Sequence, residues 1–244
     1  MSSLKLLTAS LVAACAPVAP AEECSAASGA MVPVVVELYT SEGCDSCPPA
    51  DRWLAALKGR AAVVPLAFHV DYWDTRDWKD RFAQAKFTRR QKAMLGTDGA
   101  RFAYTPQVLV DGRDVPQWGR LQPSALQANR VATVGMTLTR DGAELGLTIT
   151  PGPGAPPGLS GYVAVVDDGM QSRVDGGENR GATLREDSVV RELLPWKAAG
   201  PQPATLRFAS RSVPEAGAVR HWVGVAVDDA DGRPVQAVVL DCAP

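Results

Sequence analysis

No second Cys-x-x-Cys motif accompanies Cys44-Asp45-Ser46-Cys47, and the chain holds only two histidines. A structural zinc site needs about four nitrogen or sulfur ligands. His69, His221, Cys24 and Cys242 are scattered singly, and the carboxylates Asp71 and Asp74 lack a third clear partner, so no metal site is expected. Excess charge is missing too. A formal net charge of −2 is far from the basic balance of a general nucleic-acid binder. No internal repeat is present, and the apolar run LLTASLVAA near the start is too short to span a bilayer.

That run has another use. MSSLK supplies a short basic segment before it, and Ala19-Pro20-Ala21 fits a signal-peptidase site, so residues 1–21 read as a signal peptide. Val12-Ala13-Ala14-Cys15 also fits a lipoprotein signal ending before Cys15, which would then carry the only membrane anchor. Either form predicts a periplasmic or secreted protein. Of the five cysteines, loss or lipidation of Cys15 leaves four, an even number that suggests two disulfides in an oxidising compartment. One is Cys44–Cys47. The other would join Cys24 to Cys242.

The chain changes character near its middle. Val32–Tyr39 is apolar and rich in β-branched residues, as a buried strand is. Pro48 and Pro49 suit only the first turn of a helix, which Ala50, Trp53, Leu54 and Leu57 continue. AAVVPLAFHV predicts a second buried strand in which Pro65 removes one ladder hydrogen bond. A helix is expected from about Thr75 to Met94, a strand at Gln107–Val110, a hairpin at Asp111-Gly112 and a closing helix over ALQANRVA. This order describes an α/β unit over residues 31–131. Residues 134–244, with Gly- and Pro-rich linkers and alternating runs, read as a sandwich of about seven strands.

A strand, a turn and a Cys-x-x-Cys at a helix N-terminus make a thiol reactive. Helix-end amides favour the thiolate, and the second cysteine lies one turn away to resolve a mixed disulfide. The alternatives are a static disulfide, or a soft thiolate site for copper(I) formed by Cys44, Cys47 and His69. Glu37 is a polar residue within an apolar strand, and a buried carboxyl there could act as a base. His69-Val70-Asp71-Tyr72-Trp73 follows the second strand at the sheet edge where the motif lies. There His69 could stabilise a thiolate, Asp71 could orient it, and Tyr72 and Trp73 could form a platform for a peptide substrate.

VVELYTSEGCDSCPPAD, FHVDYWD, DWKDRF and YTPQVLVDGR resemble the bacterial domain-of-unknown-function 1223 family of secreted thioredoxin-like proteins. The Cys-x-x-Cys, followed about sixty residues later by Thr105-Pro106, is similar to the thioredoxin superfamily at large. The resemblance implies an α/β thioredoxin-like N-terminal domain followed by an all-β sandwich-like C-terminal domain. It also implies Cys44 as attacking thiolate, Cys47 as resolving thiol, Pro106 as a cis-proline and the Thr105 backbone as a pairing edge for substrate. The expected function is an exported thiol–disulfide oxidoreductase acting on protein thiols and disulfides of the cell envelope, with no dissociable cofactor. The alternative is a non-catalytic envelope binding or structural protein with a static Cys44–Cys47 bond.

Overall fold

The computed structural model describes residues 24–198, 200 and 202–242. The signal-peptide and Cys15 lipoprotein readings fall outside the described residues. In chain order the elements are β1 (Cys24–Ala27), β2 (Met31–Val32), β3 (Val34–Thr40), α1 (Pro48–Ala55) and β4 (Val63–His69). Next come α2 (Ala85–Met94), β5 (Gln107–Val110), β6 (Arg113–Asp114) and β7 (Arg130–Val131). The second half is strand throughout: β8 (Val134–Asp141), β9 (Glu144–Pro151), β10 (Leu159–Asp168), β11 (Met170–Arg173) and β12 (Thr183–Glu186). It closes with β13 (Val189–Lys197), β14 (Ala204–Ala209), β15 (Val219–Asp228) and β16 (Pro234–Leu240).

One eight-stranded sheet, ordered β16-β15-β10-β13-β4-β3-β5-β6, draws strands from both halves of the chain. Its seam is a short parallel contact, Val189 opposite Ala67, with the Ala67 amide donating to the Ser188 carbonyl at 2.7 Å. β10 and β15 are apolar on both faces. Tyr162, Ala164 and Val166 enter one core, while Leu159, Val163 and Val165 enter another. Burial on both faces removes the need for alternation, which explains the continuous runs YVAVV and VGVAV. The second core is closed by a four-stranded sheet, β1-β8-β9-β14, whose strands alternate buried and exposed residues because their outer face meets water. Cys24 on β1 lies 5.9 Å, Cα to Cα, from Cys242 just after β16, and the two form a disulfide across this layer.

The expected fold class is therefore corrected. The chain is not an α/β thioredoxin-like domain followed by a separate sandwich. Its described residues are mostly β, with 43% strand and 12% helix, and the two α-helices among them span only 8 and 10 residues. Two local causes remove the missing helices. Between Thr75 and Gln84, the Thr75 hydroxyl caps Trp78, Asp80 accepts the Phe82 amide and the Gln84 amide donates to His69, so side chains and strand take the helix's hydrogen bonds. In ALQANRVA only the 3₁₀ turn ending at Ala125 forms, and Arg130–Val131 leaves to pair with β2. The decisive non-local cause is β13, which takes the edge of β4 and joins the two halves in one sheet. Pro65 shares its parity with Ala67, so its missing donor faces the stretch of β4 that β13 does not reach.

Candidate functional site around Cys44 and Cys47

β3 ends at Thr40 on the sheet's C-terminal edge, and Ser41–Gly43 turn the chain into the motif. The Cys44 amide donates to Ser41 and the Cys47 amide to Cys44, both at 3.2 Å. The Cys47 carbonyl then accepts the Ala50 and Asp51 amides at 2.8 and 3.1 Å, which starts α1. Pro48 and Pro49 occupy positions whose N–H groups would have no intrahelical acceptor, so they cost the helix nothing. Cys44 and Cys47 are disulfide-bonded with Cα atoms 5.4 Å apart, and both are fully buried, whereas Asp45 and Ser46 are exposed.

The second half of the chain packs against the motif. The loop between β11 and β12, residues 174–182, lies on the Cys44 turn. The Glu178 amide donates to the Gly43 carbonyl at 2.9 Å, and the Glu178 carboxylate accepts the Asp45 amide at 3.1 Å. Asn179 donates its side-chain amide to the carbonyls of Glu42 at 3.0 Å and Cys44 at 2.8 Å. Trp73 and Trp78 wall the turn at Gly43, where an added Cβ would stand 3.1 and 3.0 Å from them.

Beneath the motif, on the face of the sheet that carries α1, lies a buried polar cluster. Thr40 and His69 are register partners at the ends of β3 and β4. His69 Nδ1 is 2.8 Å from Asp80, and both side chains are inaccessible to solvent. Burial alone would depress His69, but the charge and hydrogen bond of Asp80 outweigh it and lift the imidazole to about 9. The same pairing holds Asp80 below the usual carboxylate range in spite of its burial. Asp51, in the first turn of α1, is pushed up to about 6 by burial, partly offset by the charge of His69. Burial raises Glu42, with Asp80 adding to it, and raises Glu186 on β12 well above the ordinary range, with Asp51 adding to it. Asp51 Oδ1, His69 Nε2, Thr40 Oγ1 and Glu42 Oε1 are all buried without a hydrogen-bond partner. Among the described residues, no group of three or more His, Cys, Asp or Glu side chains is placed to hold a metal ion.

The structure brings together only some of the residues singled out in the sequence. His69 lies in the cluster under the cysteines, but its partner is Asp80. Asp71 instead accepts the Thr88 hydroxyl and so fastens α2. Glu37 points to the opposite face of β3, where Arg90 binds it with two nitrogens at 2.6 and 2.8 Å and Tyr162 donates to it at 2.7 Å. The Thr105–Pro106 peptide bond is cis. Trp73 connects that loop to the motif, donating its indole N–H to Thr105 Oγ1 at 2.8 Å, and Tyr72 beside it is 41% exposed. Asp51, Asp80, Glu178 and Asn179 were missed. The first two look like ordinary polar residues of charged segments, and the only signal for the others was the glycine-dense stretch GGENRG. A cavity of about 780 Å³ opens elsewhere, beside Lys58, Ser188 and His221, and none of the predicted site residues lines it.

The profile of the family Protein of unknown function (DUF1223) matches residues 35–224, so the chain belongs to that family. Among solved structures it is similar to protein AGR_C_4864 from Agrobacterium tumefaciens, at 25% identity and a TM-score of 0.63, over 86% of this chain and 95% of that one. It is also similar to HBP35 of Porphyromonas gingivalis, at 14% identity and a TM-score of 0.61, over 86% of this chain and 75% of that one; this second likeness concerns the fold alone. No curated protein matches the chain.

Proposed function

We propose that this protein is an exported thiol–disulfide oxidoreductase that exchanges disulfides with proteins of the cell envelope through Cys44 and Cys47. Kinship with the thioredoxin superfamily is proposed only for this strand–turn–helix device, since the chain around it is mostly β. The observation that carries the reading is the Cys44–Cys47 pair at the start of α1, backed by buried groups able to hold and release protons.

In the oxidising direction, a substrate thiolate attacks Cys44 Sγ and the Cys44–Cys47 bond breaks, leaving its electron pair on Cys47. A buried thiolate is costly, so Cys47 takes a proton from the Asp51–His69–Asp80 cluster, whose imidazole is protonated at neutral pH. A second substrate thiolate then attacks the substrate sulfur of the mixed disulfide and releases Cys44. Two electrons pass to the protein, and the substrate gains a disulfide. The protons of the two substrate thiols leave to solvent as they ionise, and solvent reprotonates the cluster and the released Cys44. The reverse sequence reduces a substrate disulfide, and the relative potentials set the direction. No dissociable cofactor enters either sequence.

One observation favours a second reading: both sulfurs are fully buried, as they would be in a static staple. Two measurements on the full exported chain decide between them. The Cys44 pKa is read from alkylation rate against pH, and Cys47→Ser is used to trap mixed disulfides in the producing cells. The exchange reading expects a Cys44 pKa below the ordinary ~8.5 and a disulfide-linked partner released by reductant. An ordinary pKa together with no adduct leaves the staple.

A further inference from the structure

The loop that lies on the Cys44 turn is bonded in a particular way. All four of its hydrogen bonds to the motif end on main-chain groups: the carbonyls of Glu42, Gly43 and Cys44, and the amide of Asp45. The contact surface is made for close approach. Gly177 lies on Gly43, where an added Cβ would stand 2.7 Å from the Gly43 Cα, and Gly176 lies flat on Trp78. Gly177 and Gly181, near either end of the contact, adopt φ values of +70° and +87°, so the loop turns sharply onto and off the motif. Through Gly43, Asp45 and Asn179, residues far apart in sequence form one lid over a disulfide.

We infer that residues 175–181 act as an internal stand-in for substrate, and that the substrate class is an extended polypeptide segment carrying cysteine. This rests on the exchange reading above. The covered surface offers three carbonyl acceptors and one amide donor and reads no side chain. The loop satisfies them with one bond from the Glu178 main-chain amide and three from the side chains of Glu178 and Asn179. A polypeptide segment can replace these with its own amides and polar side chains, with Trp73 and Trp78 as walls. A small thiol such as glutathione, with only two amides, is too short to replace all four bonds while its sulfur reaches Cys44. Displacement of the loop is therefore favourable only for a chain that remakes its hydrogen bonds, and Cys44 stays closed to small cellular thiols. Glu178 and Asn179 are thus specificity-determining residues, contributed by the half of the chain that does not carry the cysteines.

The test uses the oxidised, full-length exported protein and two thiol probes at equal thiol concentration: glutathione and an unstructured peptide with two cysteines. In each reaction the probe thiols are oxidised to a disulfide while Cys44–Cys47 gains two electrons and two protons, and free protein thiols are counted by mass after alkylation. Wild type is expected to react with the peptide at least about ten-fold faster than with glutathione. Asn179→Ala, which removes two hydrogen bonds, should raise the glutathione rate about ten-fold and narrow the gap. Gly176→Ala, whose Cβ would meet Trp78 Cγ at 2.3 Å, should do the same by propping the loop away. Arg173→Ala, exposed on β11 outside residues 175–181, is the control and should leave both rates unchanged. Equal rates for the two probes in wild type overturn the inference. So does a gap that neither Asn179→Ala nor Gly176→Ala narrows while both variants keep wild-type thermal unfolding. An ordinary Cys44 pKa with no mixed disulfide trapped in cells sinks the exchange reading and the stand-in role with it, whereas equal probe rates alongside a trapped partner sink the stand-in role alone, so the two failures are distinguishable.

Discussion

Replacing Asp80 by asparagine should both lower stability and reduce its dependence on alkaline pH. His69 is lifted from an ordinary 6.5 to about 9 by Asp80. A group whose pKa is raised on folding binds more protons in the native state, so its stabilising contribution is complete below 6.5 and lost as pH rises through 9. At about 1.4 kcal/mol per pH unit, that interval corresponds to about 3 kcal/mol. Asp51 has the same sign, but its window runs from 3.8 to about 6, so it closes before that of His69 opens. Glu186, which also faces the cluster, is raised as well.

The assay is urea unfolding of the disulfide-intact protein at pH 6.5, 7.5, 8.5 and 9.5. Wild type should lose on the order of 3 kcal/mol across the series. Asp80→Asn should start lower, by about 3–5 kcal/mol, because it strands a buried imidazole, and should then fall less steeply than wild type, since burial alone returns His69 to neutral while Glu186 keeps its own dependence. His69→Gln strands the carboxylate instead and should cost a similar amount. The double variant H69Q/D80N leaves no unpaired charge and should cost less than the sum of the two single changes. An Asp80→Asn protein that keeps the full alkaline slope would refute this account of the cluster.

Two further outcomes follow from the fold. Arg90→Met leaves Glu37 buried among Tyr39 and Tyr162 without its cation, and should cost about 3–5 kcal/mol in urea unfolding without changing the Cys44 alkylation profile, because Glu37 faces away from α1. Cys24→Ser with Cys242→Ser opens a loop with a sequence separation of 218. It should cost up to about 5 kcal/mol by chain entropy, read as a lower denaturation midpoint, with Cys44–Cys47 intact by peptide mapping.

What could be read in the sequence was what is local. The run before Cys44, the two prolines after Cys47 and the Asp111-Gly112 turn each act within a few residues. The turn residues adopt φ values of +48° and +76° between β5 and β6, as a tight hairpin requires. The buried cluster was half legible. His69 was placed correctly at the sheet edge, but its partner was sought two residues away at Asp71. Asp80 reaches it only because the chain from Thr75 to Gln84 stays irregular, and a pattern of charges reads that stretch as a solvated helix face. Glu37 could be read equally as a base or as the partner of a lysine or arginine, and the structure pairs it with Arg90. Strand parity sends Thr40 to the face of α1 and Glu37 to the face of α2, and a count of positions to Cys44 does not report that. β13 and the loop over Cys44 were illegible because each meets its partner across more than a hundred residues, and no periodicity encodes such a pairing.

The second half of the chain is therefore part of the site's chemistry as well as its support. Glu186 joins the proton-holding cluster as a buried carboxyl raised well above its ordinary range, and Glu178 and Asn179 close the main-chain groups beside Cys44. β11 and β12 carry these residues, and the strand after them, β13, is locked to β4 through Val189 and Ala67. The same sheet contact thus positions the lid, one member of the acid cluster and the edge from which His69 projects. A Cys-x-x-Cys on a free-standing α/β domain would be open to any thiol. In the proposed exchange the sheet that stands in place of that domain supplies a cover, so reactivity and selectivity would depend on residues from both halves of the chain and should change together when the β4–β13 contact is weakened.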